Sequence, residues 1–137
     1  MASLFADTGY WVAILDPKDR LHERALEISK RFGKRQIVTT EMVLVELLGL
    51  FAKPPLRDRV IMTVERVFAD PNVDVVPQTG LQFRDAFTRF KERPDKAWSL
   101  TDCASFIVMQ RRGIDEALAY DQHFEQAGFV ALLRKES

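Results

Sequence analysis

The sequence has few residues of the kinds that several protein classes require. It contains one cysteine, Cys103, so no internal disulfide can form, and this favours a reducing cytoplasm. Its two histidines, His22 and His123, have no zinc-ligand spacing with the cysteine. No uncharged stretch reaches the roughly 18 residues of a membrane-spanning helix. The apolar N-terminus carries Asp7 and lacks the basic start of a signal peptide. We therefore expect a cytoplasmic protein with no membrane span and no zinc site.

An excess of charge of one sign is lacking as well. The 20 basic residues balance the 20 acidic residues, so the formal net charge is zero. A neutral chain does not grip nucleic acid through bulk electrostatics alone, although metal ions can supply positive charge to a nucleic-acid enzyme. Neither glycine-rich phosphate motif, G-x-x-x-x-G-K-[ST] or G-x-G-x-x-G, is present. A nucleoside triphosphate is therefore not the obvious substrate.

The sequence does contain enough apolar material for one core, and short strands alternate with helices. Hydrophobic residues make up 47% of the 137 residues, which suits one domain over 1–137. Apolar runs predict five strands, at 3–6, 36–39, 73–77, 117–120 and 129–133. Helical periodicity predicts helices at about 10–15, 20–32, 41–52, 56–69, 79–91 and 100–112, then a short helical turn. This order predicts an α/β fold whose parallel five-stranded sheet carries helices on both faces.

Three residues mark predicted helix ends. Asp19 is placed to cap the helix at 20–32, and Gly33 is placed to end it. Gly113 is placed to end the helix at 100–112.

Two acids lie where such a sheet binds ligands, which is at the carboxyl ends of its strands. Asp7 comes directly after the predicted first strand, and Asp121 comes directly after the fourth. Aspartate is also a common N-cap. Each residue alone is therefore explained equally well by capping the helix or turn that follows.

Glu46 lies inside an apolar helix. Its neighbours at helical spacing include Met42, Val43 and Leu50, so we expect it on an apolar face. An unpaired buried carboxylate is costly, so Glu46 should have a cationic partner or reach a water-filled cleft. The alternative is a glutamate that extends to bulk water from a mostly buried helix.

Asp102 has a structural explanation of its own. Ser99 and Asp102 fit the N-cap and N3 positions of a capping box, and Trp98 and Cys103 fit the flanking hydrophobic staple. Capping is worth about 1 kcal/mol and is enough to explain the residue. It does not exclude a second role, because an N3 side chain can also face a cleft.

Taken together, these four acids favour a metal site. If they converge, their repulsion is severe unless a cation neutralises it. Carboxylates and water suit hard Mg²⁺ or Mn²⁺ rather than a soft metal. Such sites commonly serve phosphoryl transfer or phosphodiester hydrolysis. With no phosphate loop in the sequence, an extended phosphodiester is the more natural substrate.

Four stretches of the sequence resemble the PIN-domain family, and most closely its VapC-like ribonuclease toxins of bacterial toxin–antitoxin modules. The stretches are FADTGYWVAILD, TTEMVLVELLGL, SLTDCASFIVM and AYDQHFEQAGF, and together they span essentially the whole chain. The resemblance implies a three-layer α/β/α sandwich and a Mg²⁺- or Mn²⁺-dependent endoribonuclease. It also implies an RNA substrate, a cognate antitoxin protein and a homodimer.

Carried over by position, the resemblance also implies roles for individual residues. The catalytic, metal-binding acids would be Asp7, Glu46, Asp102 and Asp121. Thr8 and Thr101 would support these acids through hydrogen bonds. No acid of the family pattern is missing, so nothing in the sequence indicates an inactive member.

Basic residues that flank the loop before Asp102 are candidates for contacts with RNA phosphates. The alternative is a solvated charged surface. These residues are Arg89, Lys91, Arg93 and Lys96. His22 fits a structural position on its helix. His123 lies close to Asp121, where it can either approach the cleft or make a local hydrogen bond.

Two other function classes compete with the ribonuclease. A catalytically silent PIN-fold module would bind RNA or protein without cleaving it, although the complete acid set argues against this. A receiver-like signalling domain would need a phospho-acceptor aspartate at the end of the third strand. The sequence there reads VVPQTG, which has no acceptor, so the receiver ranks lower.

Overall fold

The computed structural model describes residues 2–134, with residue 1 and residues 135–137 outside the description. The strands of the described part are β1 Leu4–Ala6, β2 Ile37–Thr40, β3 Val73–Val76, β4 Glu116–Leu118 and β5 Val130–Ala131. Its helices are α1 Thr8–Leu15, α2 His22–Phe32, α3 Glu41–Leu50, α4 Arg57–Ala69, α5 Gly80–Glu92, α6 Leu100–Arg112 and α7 Gln122–Gln126. None of these helices is long and apolar enough to cross a membrane.

The strands form one parallel sheet in the order β3-β2-β1-β4-β5. From β1 the chain moves through β2 to β3, and it then returns past β1 to β4 and β5. Because parallel crossovers are right-handed, this reversal places the first four helices on one face and the last three on the other. The packing agrees for most helices, since α1 contacts α2, α3 and α4, whereas α6 contacts α5 and α7. Contacts between α3 and α6 join the two groups. The predicted three-layer α/β/α fold is confirmed.

The reversal of chain direction opens a crevice between β1 and β4. These strands are neighbours, but the connections that follow them leave toward opposite faces of the sheet. Open α/β sheets bind ligands at this point, outside the carboxyl ends of the strands. Asp7 directly follows β1 and lies at the crevice, as predicted. Buried Thr39 of β2 donates from Oγ1 to the Ala6 carbonyl at 2.9 Å and so fixes the strand end that carries Asp7.

An aromatic cluster holds α6 in place. Phe106 is fully buried, and its ring centroid lies 5.0 Å from those of Trp98 and Phe124. The ring of Phe129 lies 5.8 Å away. Phe124 also packs against Phe5 of β1, with ring centroids 6.3 Å apart. Such contacts bury a large apolar area in a defined geometry, so the cluster sets the position of α6 relative to the sheet.

One predicted helix end is wrong and another differs in conformation. The N-cap of α2 is Leu21, which makes no side-chain cap, and Asp19 instead accepts the Leu21 amide in the turn before the helix. Gly33 ends α2 as predicted, but in a right-handed conformation with φ −61° and not in the left-handed one of a glycine stop. Gly113 does end α6 in the left-handed conformation, with φ 65°.

Two strands are shorter than their apolar runs. β4 ends at Leu118, so Ala119 and Tyr120 separate it from Asp121. The prediction that Asp121 directly follows the strand is therefore wrong by two residues. β5 has only two residues, although its apolar run covers 129–133. Residues that are buried without strand pairing give the same apolar signal, so the run overestimates the length of the strand.

Phe106→Ala should lower the free energy of unfolding by roughly 3–5 kcal/mol, because it leaves a cavity among closely packed rings. Urea unfolding of the purified variant measures the loss. Phe83→Ala is a matched control, since Phe83 lies on α5 and is 43% exposed. The control should change stability by less than about 1 kcal/mol. Equal losses of unfolding free energy in the two variants would contradict the stabilising role of the aromatic cluster.

Candidate active site

An open cleft of about 580 Å³ lies at the crevice between β1 and β4. Three of the four predicted acids line it, namely Asp7, Glu46 and Asp121. Its other lining residues are Thr8, Gly9, Val12, Asp19, Arg20, Leu21, Leu50, Tyr120, Gln122 and Arg134. The cleft is therefore built by the residues that follow β1, β4 and β5, together with α3 and the α1–α2 connection.

Asp7 is nearly buried at the N-cap of α1. Only 8% of its surface is exposed, and its side chain makes no helix-capping hydrogen bond. The pKa of Asp7 is raised from an ordinary 3.8 to about 7, first by burial and then by the charge of Asp102. The charges of Glu46 and Asp121 also raise this pKa, whereas a hydrogen bond from the Thr8 amide lowers it. The structure thus brings the four acids close enough for the other three to act on Asp7.

Asp102 caps its helix and also belongs to the acid cluster. Its Oδ2 accepts the Ser99 amide and its own amide donates to Ser99 Oγ, both at 3.0 Å, so the predicted capping box is confirmed. The same Oδ2 lies 3.0 Å from His123 Nδ1. Within residues 2–134, no hydrogen bond engages Oδ1 of Asp102. The cap therefore uses one carboxylate oxygen and leaves the second for another role.

His123 joins two of the predicted metal ligands. Its backbone amide donates to Asp121 Oδ1 at 3.1 Å, which caps α7. Its ring Nδ1 lies 3.2 Å from that Asp121 oxygen and 3.0 Å from Asp102 Oδ2. The sequence left two possibilities for His123, an approach to the cleft or a local hydrogen bond. The structure places it between the two acids, where it holds both carboxylates in one orientation.

Glu46 is exposed to solvent, and the apolar face on which we expected it is partly open. Val45 and Leu50 of the same helix are 67% and 61% exposed. The helix packs through a different side, where Leu44 and Leu47 are buried. Glu46 therefore does not bear the cost of a buried carboxylate. Instead it reaches the water-filled cleft, which was the second possibility that the sequence gave.

The donor atoms of the cleft suit a hard divalent cation in their chemistry. The acids and Thr8 all offer oxygen, which Mg²⁺ and Mn²⁺ prefer. Thr8 Oγ1 is buried beside Asp7 and has no hydrogen-bond partner within residues 2–134. In the same described part, no three His, Cys, Asp or Glu side chains come close enough to hold an ion together. The cleft therefore offers the oxygen donors of such a site, but these donors are not gathered around one position in the described residues.

Two of the other predicted residues, Thr101 and His22, do not line the cleft. Thr101 is half-buried in the first turn of α6, and its supporting role stays a prediction. His22 Nδ1 lies 2.6 Å from the Ala13 carbonyl, so this histidine ties α2 to α1, in line with its structural interpretation.

The predicted RNA-contact residues do not line the cleft. Arg89 and Arg93 line a separate depression next to α6. Arg93 is paired with Asp95 through hydrogen bonds of 3.0 Å. Lys91 and Lys96 are also absent from the cleft lining. Their contribution to RNA binding stays a prediction.

Two arginines that the sequence reasoning missed do line the cleft. Arg20 Nη1 donates to the Tyr120 hydroxyl at 3.4 Å, and Arg134 Nη1 donates to the Tyr120 carbonyl at 3.0 Å. The hydrogen bond from Arg20, its charge and the charge of Arg134 lower the pKa of the Tyr120 phenol. Position was the signal available in the sequence, since Arg134 follows the fifth strand at the same edge of the sheet as the acids.

Asp7→Asn should stabilise the metal-free protein at high pH. The pKa of Asp7 is higher in the folded chain than its ordinary 3.8, so the native state keeps a proton that the unfolded state releases. The stability linked to this proton is complete below about pH 4 and is lost as the pH rises through about 7. Thermal and urea unfolding in chelator should show a gain of up to roughly 4 kcal/mol at pH 8 and little gain at pH 4.

Asp58→Asn is the control for this prediction, because Asp58 is exposed in the first turn of α4 and lies outside the cleft. Its effect should not differ between the two pH values in the way that the effect of Asp7→Asn does. A gain in stability for Asp7→Asn that is equal at pH 4 and pH 8 would contradict the raised pKa of Asp7.

Comparison with known proteins shows the family and the fold of the chain. Two curated relatives, each named 23S rRNA-specific endonuclease VapC20, come from Mycobacterium tuberculosis strains CDC 1551 / Oshkosh and ATCC 25618 / H37Rv. Both are 28% identical over 140 residues, which cover 93% of this chain and 95% of the relative. The crystal structure of M. tuberculosis VapC20, described as a Sarcin-Ricin loop cleaving toxin, matches with a TM-score of 0.83 and 25% identity. That match covers 93% of this chain and 96% of the other. The sequence model of the PIN domain matches residues 4–130, and the chain therefore belongs to the PIN-domain family.

Proposed function

We propose that this protein is a Mg²⁺- or Mn²⁺-dependent endoribonuclease and the toxin of a toxin–antitoxin pair. The observation that carries the proposal is that Asp7, Glu46 and Asp121 line one cleft, with Asp102 joined to Asp121 through the ring of His123. A divalent cation relieves the repulsion among such carboxylates and uses them as ligands. Homology to VapC20 supports RNA as the substrate.

Ribosomal RNA is the substrate that we propose to test first. The names of the relatives describe an endonuclease specific for 23S rRNA, and the related structure is that of a toxin that cleaves the sarcin–ricin loop. Proteins recognise RNA mostly at loops, where unpaired bases and backbone are accessible. The cleft is open to solvent and does not enclose a small ligand, which is consistent with an extended substrate such as an RNA loop.

The residues of the site would hold the metal and orient its ligands. The ligands would be Asp7, Glu46, Asp102 and Asp121. A bound Mg²⁺ or Mn²⁺ would supply the Lewis acidity needed to activate a water and to stabilise the leaving oxygen of a phosphodiester. The Ser99 amide and the His123 ring fix the direction of Asp102, and the His123 amide fixes that of Asp121. Such supporting hydrogen bonds set the carboxylates in place before the substrate arrives.

The proposal includes two protein partners, which are a cognate antitoxin and a second copy of the chain. In this proposal, residues 1–137 act as one domain. Large apolar side chains are exposed on three helices, and surfaces of this kind commonly contact other proteins. They include Val45, Leu50, Met62, Phe68, Leu81, Phe83, Phe87 and Phe90.

Cleavage of purified RNA tests the proposed activity. With Mn²⁺ or Mg²⁺, the wild type should cut 23S rRNA at a discrete position, which primer extension locates, and chelator should abolish the cut. Asp102→Asn should slow cleavage by about 100-fold or more, because it removes a ligand charge. Asparagine still offers an oxygen to the Ser99 amide, so the helix cap remains.

Asp58→Asn should cut like the wild type, because its side chain lies outside the cleft. Equal cleavage by the wild type and Asp102→Asn would show that the activity does not use this site. If the folded wild type binds no Mn²⁺ in calorimetry and cuts no RNA, the catalytically silent binding module replaces the ribonuclease.

Thr8→Val tests the buried hydroxyl separately from the carboxylates. Valine has a similar shape and removes the unpartnered Oγ1. The metal-free protein should keep its stability or gain about 1 kcal/mol, whereas Mn²⁺ binding should weaken about 10-fold or more. Melts in chelator and calorimetric titration measure these effects. Thr88→Val on the exposed side of α5 is the control. A Thr8 variant that binds Mn²⁺ like the wild type would contradict the role of the hydroxyl.

A further inference from the structure

The acid cluster creates a binding problem for any polyanion that enters the cleft. Asp7, Glu46 and Asp121 line the cleft, and their charges repel RNA phosphates. Among the described residues that line it, only Arg20 and Arg134 are basic. A phosphate chain that approaches the acids therefore meets attractive side chains at these two positions.

Tyr120 holds both guanidinium groups. The Cζ atoms of Arg20 and Arg134 lie 4.4 Å and 5.1 Å from the centroid of the Tyr120 ring. Both distances are within the range of a cation–π contact. Arg20 also donates to the Tyr120 hydroxyl, and Arg134 donates to its carbonyl. The residue that directly precedes Asp121 thus orients two cations beside the acids.

Hydrogen-bond donors of both arginines remain available. Within residues 2–134, Arg20 forms no ion pair with a carboxylate. Arg134 pairs with Glu125 through Nε at 2.9 Å, and no described residue accepts a bond from its Nη2. Arg93, in contrast, uses two of its nitrogens on the two oxygens of Asp95. Since a guanidinium matches the geometry of a phosphate, Arg20 and Arg134 can each engage a phosphate at the cleft.

We propose that Arg20 and Arg134 bind RNA phosphates next to the acid cluster, with Tyr120 as the residue that positions both guanidinium groups. This inference rests on the proposed ribonuclease function, because it names the residues that hold its substrate. It places the RNA backbone across the ends of β4 and β5 rather than along the α5–α6 loop.

Binding and cleavage of one RNA hairpin test this proposal together. The probe is a fluorescein-labelled hairpin with the sarcin–ricin loop sequence, and anisotropy in chelator measures its affinity between about 50 and 200 mM KCl. Arg20→Gln and Arg134→Gln should each reduce the slope of log K against log salt by about 0.7. The same slope predicts a loss of affinity of about five-fold per arginine at 0.1 M salt. In Mn²⁺, KM should rise by a similar factor while kcat changes little, because uniform binding is lost.

Three further variants make the result specific. Arg20→Lys and Arg134→Lys keep the charge and should keep most of the salt dependence. Arg31→Gln removes an exposed arginine that is paired with Glu27 on α2, far from the cleft lining, and should match the wild type. Tyr120→Phe retains the ring and should bind RNA better than Tyr120→Leu, which removes the platform.

The possible failures are distinguishable. If the wild type cleaves RNA and both glutamine variants keep its salt slope and KM, this inference is overturned and the ribonuclease proposal stands. The arginines would then serve another partner, such as the antitoxin. If Arg93→Gln produces the loss instead, the RNA follows the α5–α6 loop and the inference is also wrong. If the wild type neither binds nor cleaves RNA, both proposals fail.

Discussion

Repulsion among carboxylates at the crevice between β1 and β4 is the constraint on which the rest of the site depends. The order of the strands makes this crevice unavoidable, because the connections after β1 and β4 leave toward opposite faces of the sheet. Asp7 follows β1 directly and is only 8% exposed, so little water screens it from the charge of Asp102. The fold thus concentrates negative charge that only a proton or a cation can compensate.

The acids of the site are held by the same hydrogen bonds that begin its helices. Asp102 closes the capping box of α6, and Asp121 caps α7. Capping stabilises these helices, which offsets part of the repulsion that the charges create. It also fixes the carboxylates on helix ends and not on long loops, and sites carried by rigid elements keep their geometry better. His123 strengthens this link because its ring contacts both acids.

Much of the fold could be predicted from the sequence, because it follows from local patterns. The apolar runs and helix periods predicted every strand and helix, and the position of Asp7 after β1 placed it correctly at the sheet edge. The predictions that failed depend on tertiary contacts. The exposure of Glu46 could not be predicted, because an apolar helix face does not show which side packs, and α3 leaves that side open to solvent. The end of β4 was wrong because Ala119 and Tyr120 continue the apolar run beyond the last residue of the strand.

Residues distant in the sequence were the hardest to predict as a site. Arg20 lies between α1 and α2, Tyr120 follows β4 and Arg134 follows β5, so no local pattern connects them. Tyr120 and Arg134 meet because the parallel sheet gathers the ends of its strands at one edge, and the α1–α2 connection brings Arg20 to them.

The formal net charge of zero conceals this arrangement. Net charge describes the field far from the molecule, whereas a substrate in the cleft meets separate groups within a few ångströms. The lining of the cleft contains both acids and two arginines that contact the ring of Tyr120. Phosphates of a polyanion favour the arginines and avoid the acids, so the positions of these groups decide how such a chain would lie. A neutral chain can therefore attract a polyanion at particular side chains, even though its net charge gives no sign of it.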